Sequence, residues 1–257
     1  MSVLVYLVDP DSKVKETARL FHNKIFNFHT FKAQTPSGTI GQQLTNHSAT
    51  ELHTYLMILQ DAKRQSPNSH VIILDNRMIS SIDSKYLASL ISRITSRADI
   101  DIFYLSKYLD RCDLYDHQER LAMDGQDNGL LLSQTYQPNG IQALMFSPYG
   151  RDVVLGQQEG RRGRKIAPFN QPLNSGIRQA VANGDLSAFT VSPNIFSFDL
   201  SRSRDASDLM RLNECLPSPT SNTTTSSSVW WFIIIIVIVL IIAGIAVFLS
   251  SGSRKAQ

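Results

Sequence analysis

Residues 69–79 read SHVIILDNRMI, an apolar run followed by polar residues. Its apolar run, 71–74, is typical of a strand that is buried on both faces of a sheet. Three polar residues, Asp75, Asn76 and Arg77, follow the run directly. Because ligands of open α/β sheets bind at the carboxyl ends of such strands, these residues are the first candidates for a functional site.

Strands and helices alternate on both sides of this stretch. Predicted strands lie at 3–8, 26–33 and 100–105. Predicted helices lie at 11–23 and 86–95, and a third helix is predicted to begin at the capping box Ser48-Ala49-Thr50-Glu51. This alternation predicts an α/β fold with a mainly parallel sheet and helices on both faces.

Composition narrows the possible functions. The chain has 257 residues, of which 42% are hydrophobic and 18% charged, and a formal net charge of +3. These values indicate one globular domain with appendages, and the modest charge predicts no nucleic-acid partner. The two cysteines, Cys112 and Cys215, lack the close spacing of a zinc site, and we expect both to be reduced thiols.

Residues 229–249, VWWFIIIIVIVLIIAGIAVFL, contain no charged side chain. At about 1.5 Å per residue, a helix of this length spans roughly 30 Å, the hydrocarbon thickness of a bilayer. Trp230 and Trp231 precede the apolar core, and Arg254 and Lys255 follow it, as membrane-interface residues do. We therefore predict a single transmembrane helix whose partner is the lipid bilayer.

The sequence around this helix sets the remaining domain boundaries. Residues 216–228, LPSPTSNTTTSSS, are predicted to be a disordered linker, so that 1–215 form the folded domain and 250–257 a short polar tail. The chain start reads as a strand without a basic leader, which predicts a tail-anchored protein with a cytosolic body. Arg254 and Lys255 weigh weakly against this orientation. In a cytosolic body, the sequons at Asn46 and Asn222 would be chance matches.

Five blocks occur in an order that is similar to a known family. They read SGTIGQQLTNHSATELHTYLMIL (37–59), VIILDNRM (71–78), ADIDIFYLS (98–106), GIQALMFSPYGRDVVL (140–155) and QPLNSGIRQAVANGDLSAFTVSPNIFSFD (171–199). Together they resemble the family 25 glycosyltransferases, the lipopolysaccharide and procollagen galactosyltransferase group. The resemblance implies a GT-A-like nucleotide-diphospho-sugar transferase sheet, a nucleotide-sugar donor and a divalent cation.

The polar positions of the family pattern are altered in this chain. Its metal-binding Glu-Asp-Asp motif falls at Asp75, Asn76 and Arg77, and the acid of its Pro-Ile-Asp segment falls at Asn174. Arg77 places a fixed positive charge where hard oxygen ligands would hold the cation. We therefore interpret the chain as a pseudoenzyme without catalytic residues, metal or cofactor, in which these four residues remain candidates for nucleotide-sugar binding.

Other interpretations stay open. The chain could be an active membrane-bound transferase that moves a hexose to a protein or lipid, with Arg77 clamping phosphate oxygens in place of the metal. It could also be a membrane adaptor of another α/β type. A structural module that binds an unidentified protein could act as a tether between the internal membrane and the capsid of a virion.

The run GRRGRK (160–165) is the strongest basic cluster in the chain. Arg161, Arg162, Arg164 and Lys165 are candidates for contact with anionic lipid headgroups or phosphorylated partners, although a solvated loop would have the same composition.

Overall fold

A single mixed sheet forms the centre of the folded body. The computed structural model describes residues 2–36, 46–123, 126–166, 169–199, 201 and 213–216. The strands are β1 (Val3–Val8), β2 (Phe26–Phe31), β3 (His70–Asp75), β4 (Met78–Ser80), β5 (Ile102–Tyr104), β6 (Asp116–Met123), β7 (Gln126–Thr135), β8 (Ala143–Phe146), β9 (Ala188–Ser192) and β10 (Phe196–Phe198). Within the described residues, eight strands pair in the order β2-β1-β3-β8-β5-β9-β7-β6, while β4 pairs with β10.

Helices cover both faces of the sheet, as predicted. They are α1 (Val14–Leu20), α2 (Asn46–Gln65), α3 (Ser84–Thr95), α4 (Pro148–Val154) and α5 (Leu173–Ala182), with a 3-10 turn at Cys112–Leu114. One core cluster joins α1 and α3 to alternate side chains of β1 such as Val5. The other joins α2, α4 and α5 to the opposite side chains, such as Tyr6. Since successive strand residues face opposite sides, β1 contributes to both cores.

The prediction of a mainly parallel sheet is wrong, because the sheet is mixed. The pairs β1–β2, β1–β3 and β5–β9 are parallel, and the pairs β3–β8, β5–β8, β7–β9 and β6–β7 are antiparallel. Strand β8 lies antiparallel between two strands that run in the direction of β1. A buried strand such as β8, ALMF, is apolar throughout, and this pattern carries no information about direction.

The parallel half of the sheet contains a reversal of strand order. From β1 the chain crosses by α1 to β2 on one side, and then returns by α2 to β3 on the other side of β1. The carboxyl ends of β1 and β3 therefore flank a topological switch point, where open α/β sheets form a crevice. Helix α2 is already helical at Asn46, two residues before Ser48, so Ser48 is not the N-cap that we predicted.

The expectation that Cys112 and Cys215 are reduced thiols is also wrong, because they form a disulfide. Their Cα atoms are 5.5 Å apart although 103 positions separate them in the chain. The backbone brings them together, since Asp110 and Cys215 form a parallel β-bridge. Spacing along the sequence could not indicate this contact, because it depends on the return of the chain to the end of β5.

The chain divides into two units, 1–216 and 217–257. The predicted linker beyond Leu216, the transmembrane segment 229–249 with Trp230 and Trp231, and the tail with Arg254 and Lys255 lie outside the described residues. Among the helices that are described, none combines the length and the hydropathy needed to cross a bilayer.

Candidate functional site

A pocket opens at the switch point between β1 and β3. We call it the β1–β3 pocket, and its volume is about 300 Å³. Its walls come from the ends of β1 and β3, the first three turns of α2 and the segment that leads into β8. The lining residues are Val8, Asp9, Ala33, His47, Thr50, Glu51, Thr54, Tyr55, Asp75, Asn76, Arg77, Ile141 and Gln142. The sequence-derived candidates Asp75, Asn76 and Arg77 thus share one wall of a cavity.

Asp75 and Arg77 form a closed ion pair in this wall. Arg77 Nε donates to Asp75 Oδ1 and Nη2 donates to Oδ2, both at 2.9 Å, and the Arg77 backbone N–H donates to Oδ1 at 2.8 Å. The guanidinium carbon of Arg77 also lies 5.0 Å from the centre of the Phe198 ring, at the distance of a cation–π contact. Both carboxylate oxygens of Asp75 are therefore engaged by Arg77.

This pairing bears on the metal that the family resemblance implies. A divalent cation needs carboxylate oxygens at about 2.0–2.6 Å, and the bidentate fork of Arg77 blocks that approach to Asp75. Asn76 offers an amide where the family pattern has a second carboxylate. Within the described ranges, no group of three or more His, Cys, Asp or Glu side chains is placed to hold a metal ion. The residues at this position do not fit the implied cation.

Asn76 lines the pocket and also connects the end of β3 to the end of β1. Its Nδ2 donates to the backbone oxygen of Asp9 at 2.5 Å. Asp9 has a positive φ of 48° directly after β1, and its Oδ1 accepts from the Ala33 N–H at 2.8 Å. An Asp tolerates this left-handed conformation better than most residues do. These contacts fix the geometry of the crevice before any ligand binds.

Tyr55 and Gln142 add polar, uncharged groups to the lining of the pocket. The Tyr55 hydroxyl donates to the backbone oxygen of Ile141. Burial, with a further contribution from Glu51, raises the pKa of Tyr55 well above its ordinary value. Tyr55 therefore remains a protonated hydrogen-bond donor at neutral pH and does not act as a base. Gln142 is also held, because its backbone oxygen accepts from the Asp75 N–H at 2.8 Å.

Asn174, the fourth candidate, is not among the residues that line the β1–β3 pocket. It lies in the first turn of α5, where its Nδ2 donates to Asn139 Oδ1 at 2.6 Å. Its own Oδ1 is buried and accepts no hydrogen bond from the described residues. The structure thus brings three of the four candidates together and places Asn174 at a separate position.

Two arginines of the basic run 160–165 form ion pairs within the folded body. Arg161 donates to both oxygens of Asp101, at 2.6 and 2.8 Å, and Arg164 donates to both oxygens of Asp185, at 3.3 and 2.8 Å. Asp101 is 1% exposed, so the Arg161 fork compensates a buried charge. The predicted contact with anionic lipids or partners is not tested by these pairs, but Arg161 would have to leave Asp101 to make it.

A second polar cluster, which the sequence analysis did not identify, lies at the end of β5. Its members are Lys107, Asp110, Tyr115 and Glu214, and Lys107 is 0% exposed. Burial lowers the pKa of Lys107 and raises the pKa of Asp110. One signal could have identified Lys107, because it follows a predicted buried strand as Asp75 does. Glu214 gave no such signal, since it reaches the cluster only through the disulfide-linked segment.

No family model and no curated protein matches this chain. Several solved structures are similar to it. A197 from STIV is 10% identical with a TM-score of 0.36, over 73% of this chain and 81% of that chain. A glycosyltransferase involved in glycosylation of the major capsid of PBCV-1 is 12% identical with a TM-score of 0.35, over 82% and 98%. Apo UDP-glucose pyrophosphorylase is 9% identical with a TM-score of 0.33, over 73% of each chain. Membership of family 25 stays a prediction.

Proposed function

We propose that this protein is a membrane-tethered, glycosyltransferase-like binding module that does not carry out metal-dependent sugar transfer. The observation that carries the proposal is the bidentate Arg77–Asp75 pair in the wall of the β1–β3 pocket. The pair engages the carboxylate that a cation would need and offsets its negative charge. On this proposal the pocket binds an anion through Arg77, in competition with Asp75, and does not support metal-assisted transfer.

The position of the pocket supports a small-molecule ligand of the nucleotide class. It lies at the switch point of the parallel half-sheet, where nucleotides bind in open α/β folds, and its volume of about 300 Å³ falls at the lower end of ligand sites. The first two turns of α2 contribute His47, Thr50 and Glu51 to its wall. A phosphate would compete with Asp75 for the permanent positive charge of Arg77.

The membrane tether is part of the same proposal and rests on the apolar segment 229–249. Another observation supports our proposal for the side of the membrane on which the body lies. Disulfides persist in oxidising compartments and are rare in the cytosol, and Cys112 is bonded to Cys215. Together with Arg254 and Lys255 beyond the span, this favours a body outside the reducing cytosol, opposite to the orientation expected from the sequence. The virion tether stays a prediction.

Glycosidase treatment of the protein made in eukaryotic cells tests the orientation through the sequons at Asn46 and Asn222. A mobility shift would place the body in the secretory lumen. An unshifted chain with two alkylatable thiols in the cell extract would instead support the cytosolic body.

Calorimetry on the full-length protein in detergent tests the pocket. UDP, UDP-glucose and UDP-galactose are titrated with and without Mn²⁺, and the proposal predicts binding whose Kd is the same in both conditions. Binding that strengthens with Mn²⁺, accompanied by release of the sugar, would instead support the active transferase. Absence of binding by the folded protein would contradict a nucleotide pocket.

A matched variant makes the calorimetry specific. Arg111 and Asp113 repeat the Arg77–Asp75 geometry two residues apart, with both fork distances at 2.8 Å, and they are not among the residues that line the pocket. Arg111→Gln should therefore bind as the wild type does. Arg77→Gln should lose affinity for UDP, because the positive charge of the pocket wall is removed.

A further inference from the structure

The buried ammonium of Lys107 is held by groups from three parts of the fold. Its Nζ donates to the backbone oxygen of Val191 at 3.2 Å and to the hydroxyl of Ser192. It also lies 5.1 Å from the centre of the Tyr115 ring. An ammonium that is 0% exposed needs an anionic partner, because neutral acceptors alone do not repay its desolvation.

Glu214 supplies that anion from a segment remote in sequence. Its Oε2 lies 3.7 Å from Lys107 Nζ, and its Oε1 accepts from the Asn194 backbone N–H at 2.7 Å. Asn194 is fixed in turn, since its side chain exchanges two hydrogen bonds with the backbone of Lys107, at 3.0 and 2.7 Å. The ammonium and the N–H group thus form a cradle for one oxyanion, and the Glu214 carboxylate fills it.

Glu214 belongs to residues 213–216, which we call the strap. Three backbone hydrogen bonds hold the strap to the end of β5: Leu109 N–H to Asn213 O at 2.7 Å, Asp110 N–H to Glu214 O at 3.0 Å, and Leu216 N–H to Asp110 O at 2.8 Å. The disulfide from Cys215 to Cys112 is the one covalent restraint on the described strap. Cys215 is exposed, so a thiolate can reach its sulfur.

We propose that Lys107 and the Asn194 N–H form a latent oxyanion-binding site, that Glu214 plugs it, and that the Cys112–Cys215 disulfide is the latch. A dithiol opens the latch by exchange: its two thiols become a disulfide, and Cys112 and Cys215 each become a thiol. Without the covalent restraint the strap separates, and a carboxylate or phosphate of a small ligand takes the place of Glu214. This site is separate from the β1–β3 pocket and does not rest on the function proposed for it.

The test measures the reactivity of Lys107 in the full-length protein in detergent. An amine-acylating reagent is applied before and after treatment with a dithiol and alkylation of the thiols, and each lysine is quantified by mass spectrometry. In the oxidised protein Lys107 should react slowly, and reduction should accelerate it at least about tenfold through local opening. Lys13, whose side chain is 43% exposed, should react equally in both states.

Ligand competition then tests the oxyanion site itself. Inorganic phosphate and acetate are added separately, and at least one of them should slow acylation of Lys107 in the reduced protein while leaving Lys13 unchanged. Glu214→Gln should lower the anion concentration needed for this protection, because the intramolecular competitor loses its charge. Protection by phosphate alone or by acetate alone identifies which oxyanion the cradle takes.

Several outcomes would overturn the proposal. Lys107 that reacts before reduction, or that stays unreactive in the reduced and still folded protein, would show that the disulfide is not a latch. Loss of the near-ultraviolet circular dichroism on reduction would mean that the bond holds the whole body and not the strap. Failure of both anions to protect Lys107 would remove the binding site. The Cys112→Ser/Cys215→Ser variant, tested without dithiol, should reproduce the reduced protein.

Discussion

Arg77 forms two parallel hydrogen bonds of 2.9 Å to the carboxylate of Asp75, in the wall of the cavity where the parallel half-sheet reverses its strand order. The Arg111–Asp113 pair has the same spacing and the same fork outside that cavity. The exposed fractions of the side chains also match, at 34% and 26% for Arg77 and Asp75 and 34% and 28% for Arg111 and Asp113. The comparison therefore separates the effect of the ion pair on stability from its effect on the pocket.

The two arginines should differ in ligand binding and agree in stability. Arg77→Gln and Arg111→Gln should each lower the free energy of unfolding by no more than about 1 kcal/mol, because partly exposed pairs contribute little. Without Mn²⁺, Arg77→Gln should weaken UDP binding about tenfold, as expected for loss of one charged phosphate contact. Urea denaturation and calorimetry measure the two effects. An equal loss of UDP affinity in Arg111→Gln would contradict the assignment of the pocket.

Arg151 should be a stabilising residue and not a ligand. It is 0% exposed, and its Nη2 donates to Pro67 O at 2.6 Å while its Nε donates to Asp152 at 2.8 Å. Arg151→Met should lower the free energy of unfolding by about 3 kcal/mol, because buried acceptors lose their donor. Arg64→Met, at a side chain that is 77% exposed, should change it by less than about 0.5 kcal/mol. Urea unfolding that gives equal losses for both variants would contradict this role.

His70 should make stability depend on pH. Burial, assisted by Arg151, lowers the pKa of His70 from 6.5 to about 4. Between these pH values the unfolded chain binds more protons than the folded chain. The contribution of neutral, buried His70 to the free energy of unfolding is therefore complete above pH 6.5 and falls as the pH drops toward 4. The loss should reach up to about 3 kcal/mol at pH 4. Urea denaturation across this pH range should give a free energy of unfolding that depends less steeply on pH for His70→Val than for the wild type. Equal pH dependence of the two proteins would refute the effect.

The disulfide should contribute substantially to stability without being required for the fold. It closes a loop between positions 103 residues apart. Cys112→Ser/Cys215→Ser should lower the free energy of unfolding by about 2–5 kcal/mol, mainly because the unfolded chain regains conformational freedom. Urea denaturation under non-reducing conditions measures the difference. An unchanged midpoint and slope would contradict a contribution of the disulfide to stability.

The parallel half of the fold could be predicted from the sequence. Val3–Val8 is β1 as predicted, the apolar run of the opening stretch became β3, and the helix predicted at 86–95 lies within α3. Each of these elements has a local pattern that burial imposes: continuous apolar residues in strands with two covered faces, and a 3.6-residue period in α3. The same logic located Asp75, Asn76 and Arg77 at a strand end, where the pocket was found.

The remaining features depend on contacts that no local pattern encodes. The run ALMF of β8 predicts burial and not direction, and the pairing of Cys112 with Cys215 follows from the bridge between Asp110 and Cys215. The contact of Glu214 with Lys107 depends on the same bridge, because the bridge brings the segment around Cys215 to Lys107. The ion pair of Arg77 with Asp75 could not be predicted either. The sequence shows that the two residues are two positions apart, but side-chain geometry determines whether the guanidinium contacts solvent, a phosphate or the carboxylate.

Direct titration of Mn²⁺ tests whether the Arg77–Asp75 pair excludes a catalytic cation. Electron paramagnetic resonance of free Mn²⁺ is recorded as the full-length protein is added in the presence of UDP, with Arg77→Gln and Asp75→Asn/Arg77→Gln as comparisons. We expect no saturable binding of Mn²⁺ by the wild type. Arg77→Gln should gain binding, and the added Asp75→Asn substitution should remove it. Saturable, stoichiometric binding of Mn²⁺ by the wild type would contradict this expectation.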